Sequence, residues 1–131
     1  MSTPMLAEYA KYINGKLHTC DISAKNISNA KKFTLNLSKY IEFYVQDSII
    51  FLNEFKNKID LLYLDSLDGH NPLAASRHQL EEAKASIDKL HQKSLILLDD
   101  KGSKTNLSLN FFLSKGFKKI HETNYQLLLS K

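Results

Sequence analysis

The stretches IDLLYLD (residues 59–65) and SLILLDD (residues 94–100) decide the fold class of this chain. Each is a short, nearly continuous apolar run that ends in aspartate, which is typical of a strand covered on both faces of a parallel sheet. Between them, Asn71 and Pro72 are suited to the N-cap and the first turn of a long helix. A strand, a helix and a second strand in this order predict a right-handed parallel crossover.

Helix and strand patterns alternate along the rest of the chain. We expect further helices at 1–15, 26–37, 48–55 and 104–115, and further strands at 16–20, 41–46, 117–121 and 125–129. The last two strands are joined by a link too short for a crossover, so they should pair antiparallel. The prediction is a single α/β domain over residues 1–131, with a mostly parallel sheet and a C-terminal antiparallel strand pair.

Apolar residues at helical spacing predict the packed faces of two helices. The face predicted for helix 26–37 consists of Ile27, Ala30, Thr34 and Leu37, with Phe33 beside them. The face predicted for the helix that begins at Pro72 consists of Leu73, Leu80, Ala83, Ile87 and Leu90.

Composition narrows the class of protein. No apolar run approaches the roughly 20 residues that span a bilayer, and the N-terminus has no secretory pattern, so we expect no membrane partner. Cys20 is the single cysteine, which favours a reducing cytoplasm. The formal net charge is +4, but Arg77 is the one arginine among 18 basic residues. Because base reading depends on bidentate arginine, this composition argues against a nucleic-acid partner.

Aspartates follow four of the predicted strands: Asp21, Asp47, Asp65 and the pair Asp99 and Asp100. The carboxyl ends of strands form the ligand crevice of an open α/β sheet. Any one of these residues could instead cap the following helix. Four in succession favour a binding site at one rim of the sheet.

Several of these stretches, in this order, resemble class I S-adenosylmethionine-dependent methyltransferases over nearly the whole chain. They are KLHTCDIS, YVQDSIIFL, DLLYLDSLDGH, SLILLDD and the Gly-Phe turn at 116–117. The resemblance implies a Rossmann-like fold and S-adenosylmethionine as the cofactor. It implies that Asp21 accepts hydrogen bonds from both ribose hydroxyls and that Ile22 packs on the adenine. It places Asp47 and Ser48 at the adenine edge and Asp65 near the reacting methyl group.

Within that family the chain is most similar to catechol-type and sugar O-methyltransferases, which implies a small-molecule acceptor. In those enzymes aspartates at the positions of Asp65, Asp99 and Asp100 surround a divalent cation, and oxygen ligands of this kind suit Mg²⁺. Asp68 stands where the catechol type has its lysine base, and His70 is the nearest substitute for proton removal. The alternative for this segment is a plain turn.

The family's first strand and its glycine-rich cofactor turn have no counterpart among the four glycines, which are at 15, 69, 102 and 116. The sequence resembles the family from just past that turn, which suggests an N-terminally truncated gene or a decayed domain. Without that central strand, the strands at 16–20 and 59–64 would have unpaired edges, and we expect a homo-oligomer that covers them. A non-catalytic binding or oligomerisation module and a receiver-like phosphoacceptor are the alternative functions.

Overall fold

The structure is a computed structural model that describes residues 2–65, 71–99, 102 and 105–131. The helices are α1 (Thr3–Tyr12), α2 (Ala24–Phe33), α3 (Ser48–Glu54), α4 (Pro72–Ser86) and α5 (Asn106–Ser114). The strands are β1 (Leu17–Asp21), β2 (Ile41–Val45), β3 (Ile59–Leu64), β4 (Leu90–Asp99), β5 (Lys118–Glu122) and β6 (Gln126–Ser130). Short 3₁₀ helices span Leu35–Tyr40 and Ile87–Lys89.

Residues 1–51 form the first of two compact units. Its strands β1 and β2 pair in parallel, with Leu17 opposite Ile41 and Asp21 opposite Val45. Its buried core joins Ala7 of α1 to Leu37 and Ile41, and Leu17, Tyr40 and Phe43 pack around these residues. The helix α2 begins at Ser23, whose hydroxyl accepts a hydrogen bond from the backbone N–H of Asn26.

Residues 52–131 form the second unit, built on a four-stranded sheet in the order β3-β4-β6-β5. The strands β3 and β4 are parallel, whereas β6 is antiparallel to both β4 and β5. The strand β4 is inaccessible to solvent at Ile96 and Leu98, and Leu129 of β6 and Phe112 of α5 are equally buried. Asn71 caps α4 by accepting from the N–H groups of Leu73 and Ala74 at 3.1 and 3.2 Å.

The predicted fold class is confirmed, because the strands alternate with helices in the expected order, and the parallel pairs β1–β2 and β3–β4 precede the C-terminal antiparallel pair β5–β6. The strand predicted at 94–98 is longer than expected. After Ile59 pairs with Leu90, the next partners are Leu61 and Leu95, so residues 91–94 form a large bulge in β4. The residues of that bulge are polar, which is why the apolar run begins only at Leu95.

Three residues of the predicted packed faces are wrong, because Phe33 and Leu73 are exposed and Leu90 begins strand β4 instead of lying on a helix. Phe33 is 69% exposed and Leu73 is 53% exposed. The α-helix predicted at 26–37 ends at Phe33, and a 3₁₀ helix follows from Leu35 to Tyr40, in which Leu37 is buried as predicted. On α4 small and polar residues are buried, namely Ala75, Ser76, Gln79, Glu82, Ala83, Ala85 and Ser86. Within the described residues, no helix is long and apolar enough to cross a membrane.

Candidate functional site

The carboxylate of Asp21 lies at the end of β1 and is held by the turn that follows. Its Oδ1 accepts the backbone N–H of Ser23 at 2.8 Å, and its Oδ2 accepts the side-chain amide of Asn26 at 3.1 Å. The backbone carbonyl of Asp21 accepts the N–H of Gln46 at 3.1 Å, which extends the β1–β2 ladder to this edge. The carboxylate is therefore fixed in orientation. Each of its oxygens has a second lone pair for another donor.

Ile22 is the next residue and is 75% exposed. A large aliphatic side chain at the carboxyl end of a parallel strand, beside an oriented carboxylate, offers an apolar surface to a flat ring. Exposed apolar residues are common singly, so Ile22 gains meaning only from its position next to Asp21.

Asp47 follows β2 and caps α3. Its Oδ1 accepts the N–H groups of Ile49 and Ile50 at 2.9 and 3.2 Å, which satisfies two of the unpaired donors in the first turn of the helix. Ser48 is the first residue of α3. The structure thus gives Asp47 the capping role that the sequence left as an alternative. Since β1 and β2 are parallel, Asp47 and Ser48 follow the strand end that neighbours that of Asp21.

One face of the β1–β2 pair carries polar and aromatic side chains. Nδ1 of His18 lies 2.9 Å from the hydroxyl of Tyr44, and the two rings stack with centroids 5.9 Å apart. The Tyr44 ring also contacts Phe51 at 4.7 Å. Burial lowers the pKa of His18, Glu42 acts to raise it and Lys16 acts to lower it further. The neutral imidazole is therefore favoured.

In the second unit, Asp65 and Asp99 lie at the carboxyl ends of adjacent parallel strands, because Leu64 is paired with Leu98. The hydroxyl of Tyr63 donates to Oδ2 of Asp99 at 2.6 Å, a short charge-assisted hydrogen bond. Asp65 is exposed. These two aspartates are thus neighbours in register, as their position after two successive strands predicted.

No group of three His, Cys, Asp or Glu side chains within the described ranges could hold a metal ion. Of the predicted cation ligands, Asp65 and Asp99 are described, and Asp99 already accepts from Tyr63. Asp100, together with Asp68 and His70, lies outside the described residues. The described residues therefore give the Mg²⁺ prediction no support.

A family model described as a methyltransferase domain matches residues 1–101, which is most of the chain. The chain belongs to the class I methyltransferases. This family uses S-adenosylmethionine, so the cofactor inferred from the resemblance is confirmed at the level of the family, whereas the small-molecule O-methyltransferase subtype is not. A comparison with curated protein sequences finds no match.

Solved structures share this methyltransferase fold at low identity. An rRNA methylase from Streptococcus thermophilus is 12% identical with a TM-score of 0.64, over 88% of this chain and 73% of that one. TrmN from Thermus thermophilus is 16% identical with a TM-score of 0.72, over 96% of this chain and 40% of that one. NSun6 from Pyrococcus horikoshii, solved with SFG, is 14% identical with a TM-score of 0.71, over 89% of this chain and 41% of that one.

The partners expected from composition were wrong. Scarce arginine seemed to argue against nucleic acid, and the resemblance to O-methyltransferases implied a small-molecule acceptor, yet the similar structures include rRNA methylases. The error came from equating nucleic-acid binding with base reading, because contacts to phosphates need only positive charge. The homo-oligomer expected with these partners is not shown by any of these findings.

Sequence reasoning overlooked the residues that orient the aspartates. Ser23 and Asn26 hold Asp21, and Tyr63 holds Asp99. A signal for the first pair was present, since aspartate followed two residues later by serine often forms a local turn in which the carboxylate accepts the backbone N–H. Tyr63 gave no such signal, because its contact with Asp99 joins residues 36 positions apart.

Proposed function

We propose that the first unit of this chain binds the adenosine half of S-adenosylmethionine and that the chain serves a methyl-transfer reaction. The observation that carries the proposal is the oriented carboxylate of Asp21 beside the exposed side chain of Ile22, at the carboxyl end of a parallel strand. Family membership supports the same cofactor.

In this proposal each side chain has a defined task. The Asp21 carboxylate accepts hydrogen bonds from the two ribose hydroxyls with its remaining lone pairs, as acidic residues at strand ends do in dinucleotide folds. Ile22 packs against the adenine. Asp47 and Ser48 border the adenine edge from the neighbouring strand end, with Asp47 fixed by its capping bonds. When bound, the cofactor supplies an electrophilic methyl group on a sulfonium, and S-adenosylhomocysteine remains after transfer.

A nucleic-acid acceptor fits this proposal, and the rRNA methylases among the similar structures support it. The family resemblance implies roles near the acceptor for Asp65, Asp68 and His70, and these roles remain predictions. The second candidate, a binding module that retains the cofactor site without catalysis, makes the same prediction for cofactor binding and differs only in turnover.

Titration calorimetry with S-adenosylhomocysteine tests the cofactor site. We expect weak binding, on the order of millimolar, because only the adenosine half has assigned partners. Asp21→Asn should weaken it about tenfold or more, since charge-assisted hydrogen bonds contribute about 1.5–3 kcal/mol. Asn at this position keeps an oxygen that can accept the Ser23 N–H, so the turn should persist.

Glu8→Gln is the matched control, because it removes one exposed carboxylate from α1 in the same unit. Equal affinity for wild type and Asp21→Asn would show that the ribose assignment is wrong. Equal weakening by both variants would indicate an effect of net charge alone.

A further inference from the structure

Lysines are concentrated where the strands of the four-stranded sheet begin or end on one side, perpendicular to its outer strands. Because β4 and β5 are both antiparallel to β6, and β3 is parallel to β4, the starts of β3, β4 and β5 lie at the same edge as the end of β6. We call this the amino edge. Eight described lysines lie in these strand ends or within three residues of them: Lys56, Lys58, Lys89, Lys93, Lys115, Lys118, Lys119 and Lys131.

Few carboxylates offset this charge. The described acidic residues at the same edge are Glu54, Asp60 and Asp88, and Lys119 is also paired with Glu122 at 3.7 Å. Asp60 is already bound to His91, with Oδ1 and Nε2 separated by 2.6 Å. Among the described residues, the opposite edge of the same sheet has the reverse character, since Asp65 and Asp99 lie at the carboxyl ends of β3 and β4. The sheet is therefore polarised, with an excess of positive charge at the amino edge.

The register of the strands brings several of these lysines side by side. Ser130 of β6 is paired with Leu95 of β4 on one side and with Lys118 of β5 on the other. Lys131 follows Ser130 directly, and Lys93 precedes Leu95 by two residues. Neighbouring strands are about 4.8 Å apart, so the ends of β4, β6 and β5 lie close together and carry their lysines on both faces of the sheet.

The ammonium groups of the amino edge are of two kinds. Lys58 donates to the carbonyl of Asp88 at 3.0 Å, and Lys89 donates to the carbonyls of Asn53 and Ala85, so these two are fixed by backbone acceptors that leave their charge uncompensated. The other kind is exposed and reaches solvent, in some cases over an aromatic ring. Lys115 lies 5.5 Å from the centroid of Phe111, and Lys131 lies 5.5 Å from that of Phe117.

A surface that carries exposed lysines and no arginine is suited to binding the phosphates of a nucleic-acid backbone. Lysine binds phosphate as a compact point charge, whereas the bidentate contacts that read guanine need arginine. We propose that the amino edge binds the backbone of an RNA substrate without reading its sequence. This inference rests on the proposed function, because it names the acceptor class of the same methyltransferase.

The position of the amino edge also defines its role. It lies at the opposite end of the sheet from Asp65 and Asp99, so RNA bound there is held remotely from the residues assigned to the acceptor side. Contacts to remote parts of a substrate can hold it in place without taking part in the reaction. Binding of RNA at this edge and binding of cofactor at Asp21 should therefore be separable.

Fluorescence anisotropy with a labelled 20-nucleotide single-stranded RNA, titrated over a range of salt concentrations, tests the proposal. The edge variant carries Lys93→Gln, Lys115→Gln, Lys118→Gln and Lys131→Gln. The matched control carries Lys11→Gln, Lys25→Gln, Lys31→Gln and Lys32→Gln, which removes the same charge from exposed positions in the first unit. Each phosphate contact contributes about 0.7 to the slope of log affinity against log salt, so the edge variant should lose about 3 from that slope. Its affinity should fall on the order of tenfold or more, and the control should change far less.

Three outcomes would overturn the proposal. The proposal is excluded if the wild-type chain does not bind RNA at low salt. Equal loss of affinity in the two variants would show that binding depends on net charge and not on the amino edge. Vesicles containing anionic lipid, or polyglutamate, that bind the amino edge more tightly than RNA would assign the surface to another partner. S-adenosylhomocysteine titration of the edge variant keeps the two proposals distinct, because its cofactor affinity should equal that of wild type.

Discussion

Asp21 and Asp47 occupy equivalent places after neighbouring parallel strands, but their carboxylates are used differently. Asp47 directs one oxygen into the first turn of α3, whereas Asp21 divides its oxygens between a backbone N–H and a side-chain amide. A sequence pattern can place an aspartate at a strand end, but it does not specify which donors the carboxylate meets. Local hydrogen bonds to such residues are therefore expected even where a ligand also binds.

Removing the cap at Asp47 should destabilise the protein. We expect Asp47→Ala to lower the free energy of unfolding by about 1 kcal/mol, because the N–H groups of Ile49 and Ile50 lose their acceptor. Asp47→Ser retains a capping oxygen and should recover most of the loss. Urea denaturation measures both, with Asp88→Ala as a control for the removal of an exposed carboxylate. An Asp47→Ala variant with the same free energy of unfolding as wild type would show that the cap contributes little to stability.

Half-buried His18 should make the first unit sensitive to acid. Its pKa is lowered below the ordinary 6.5, chiefly by burial, so the unfolded chain binds a proton at a higher pH than the folded chain does. Stability should therefore fall as the pH drops below about 6.5 and level off once His18 is protonated in the folded state as well. His18→Phe keeps an aromatic ring against Tyr44 and removes the titrating group.

Melting temperatures at pH 7.5 and pH 5.5 provide the measurement. The fall between these two values should be smaller for His18→Phe than for wild type. His121→Gln, which removes an exposed histidine of β5, should behave as wild type. A His18→Phe variant with the full acid dependence would place the sensitivity elsewhere.

Among the helices, α4 shows where hydrophobic periodicity misleads. The helical spacing of Leu73 and the apolar residues after it suggested the packed face. The helix instead buries small and polar side chains and leaves Leu73 exposed. The reason is a partner that the local sequence does not reveal. The hydroxyl of Ser108 on α5 donates to Oε1 of Gln79 at 2.5 Å, and both residues are fully buried.

This hydrogen bond between α4 and α5 should couple the two helices. Ser108→Ala leaves the Gln79 carboxamide buried without that donor, which should lower the free energy of unfolding by about 1–3 kcal/mol. Because the Nε2 atom of Gln79 has no hydrogen-bond partner within the described residues, Gln79→Met in the Ser108→Ala background removes an already costly polar group. The double variant should then be more stable than the sum of the single changes predicts.

A double-mutant cycle by urea denaturation, with exposed Ser114→Ala as the control, measures this coupling. Strictly additive effects would show that the two side chains contribute independently.

At the scale of the whole molecule, the order of strands and helices could be predicted because each element carries its own local pattern. Apolar runs ending in aspartate identified β3 and β4, and the short link predicted at 122–124 indicated the antiparallel hairpin. The bulge in β4 could not be predicted, since it depends on Ser94 bonding to the carbonyl of Ile59 and on His91 bonding to Asp60. The same holds for the candidate site. The sequence located aspartates at the strand ends, but it did not reveal contacts between distant residues, such as the hydrogen bond from Tyr63 to Asp99.

The strand β5 ends the four-stranded sheet, and all of its residues are exposed. An outer strand of this kind is a template on which other chains can extend the sheet into a fibril, and charged side chains prevent it. Lys118 and Lys119 therefore protect solubility whether or not RNA is present. Exchange of either for valine or isoleucine would raise the tendency to polymerise while weakening any hold on a phosphate backbone.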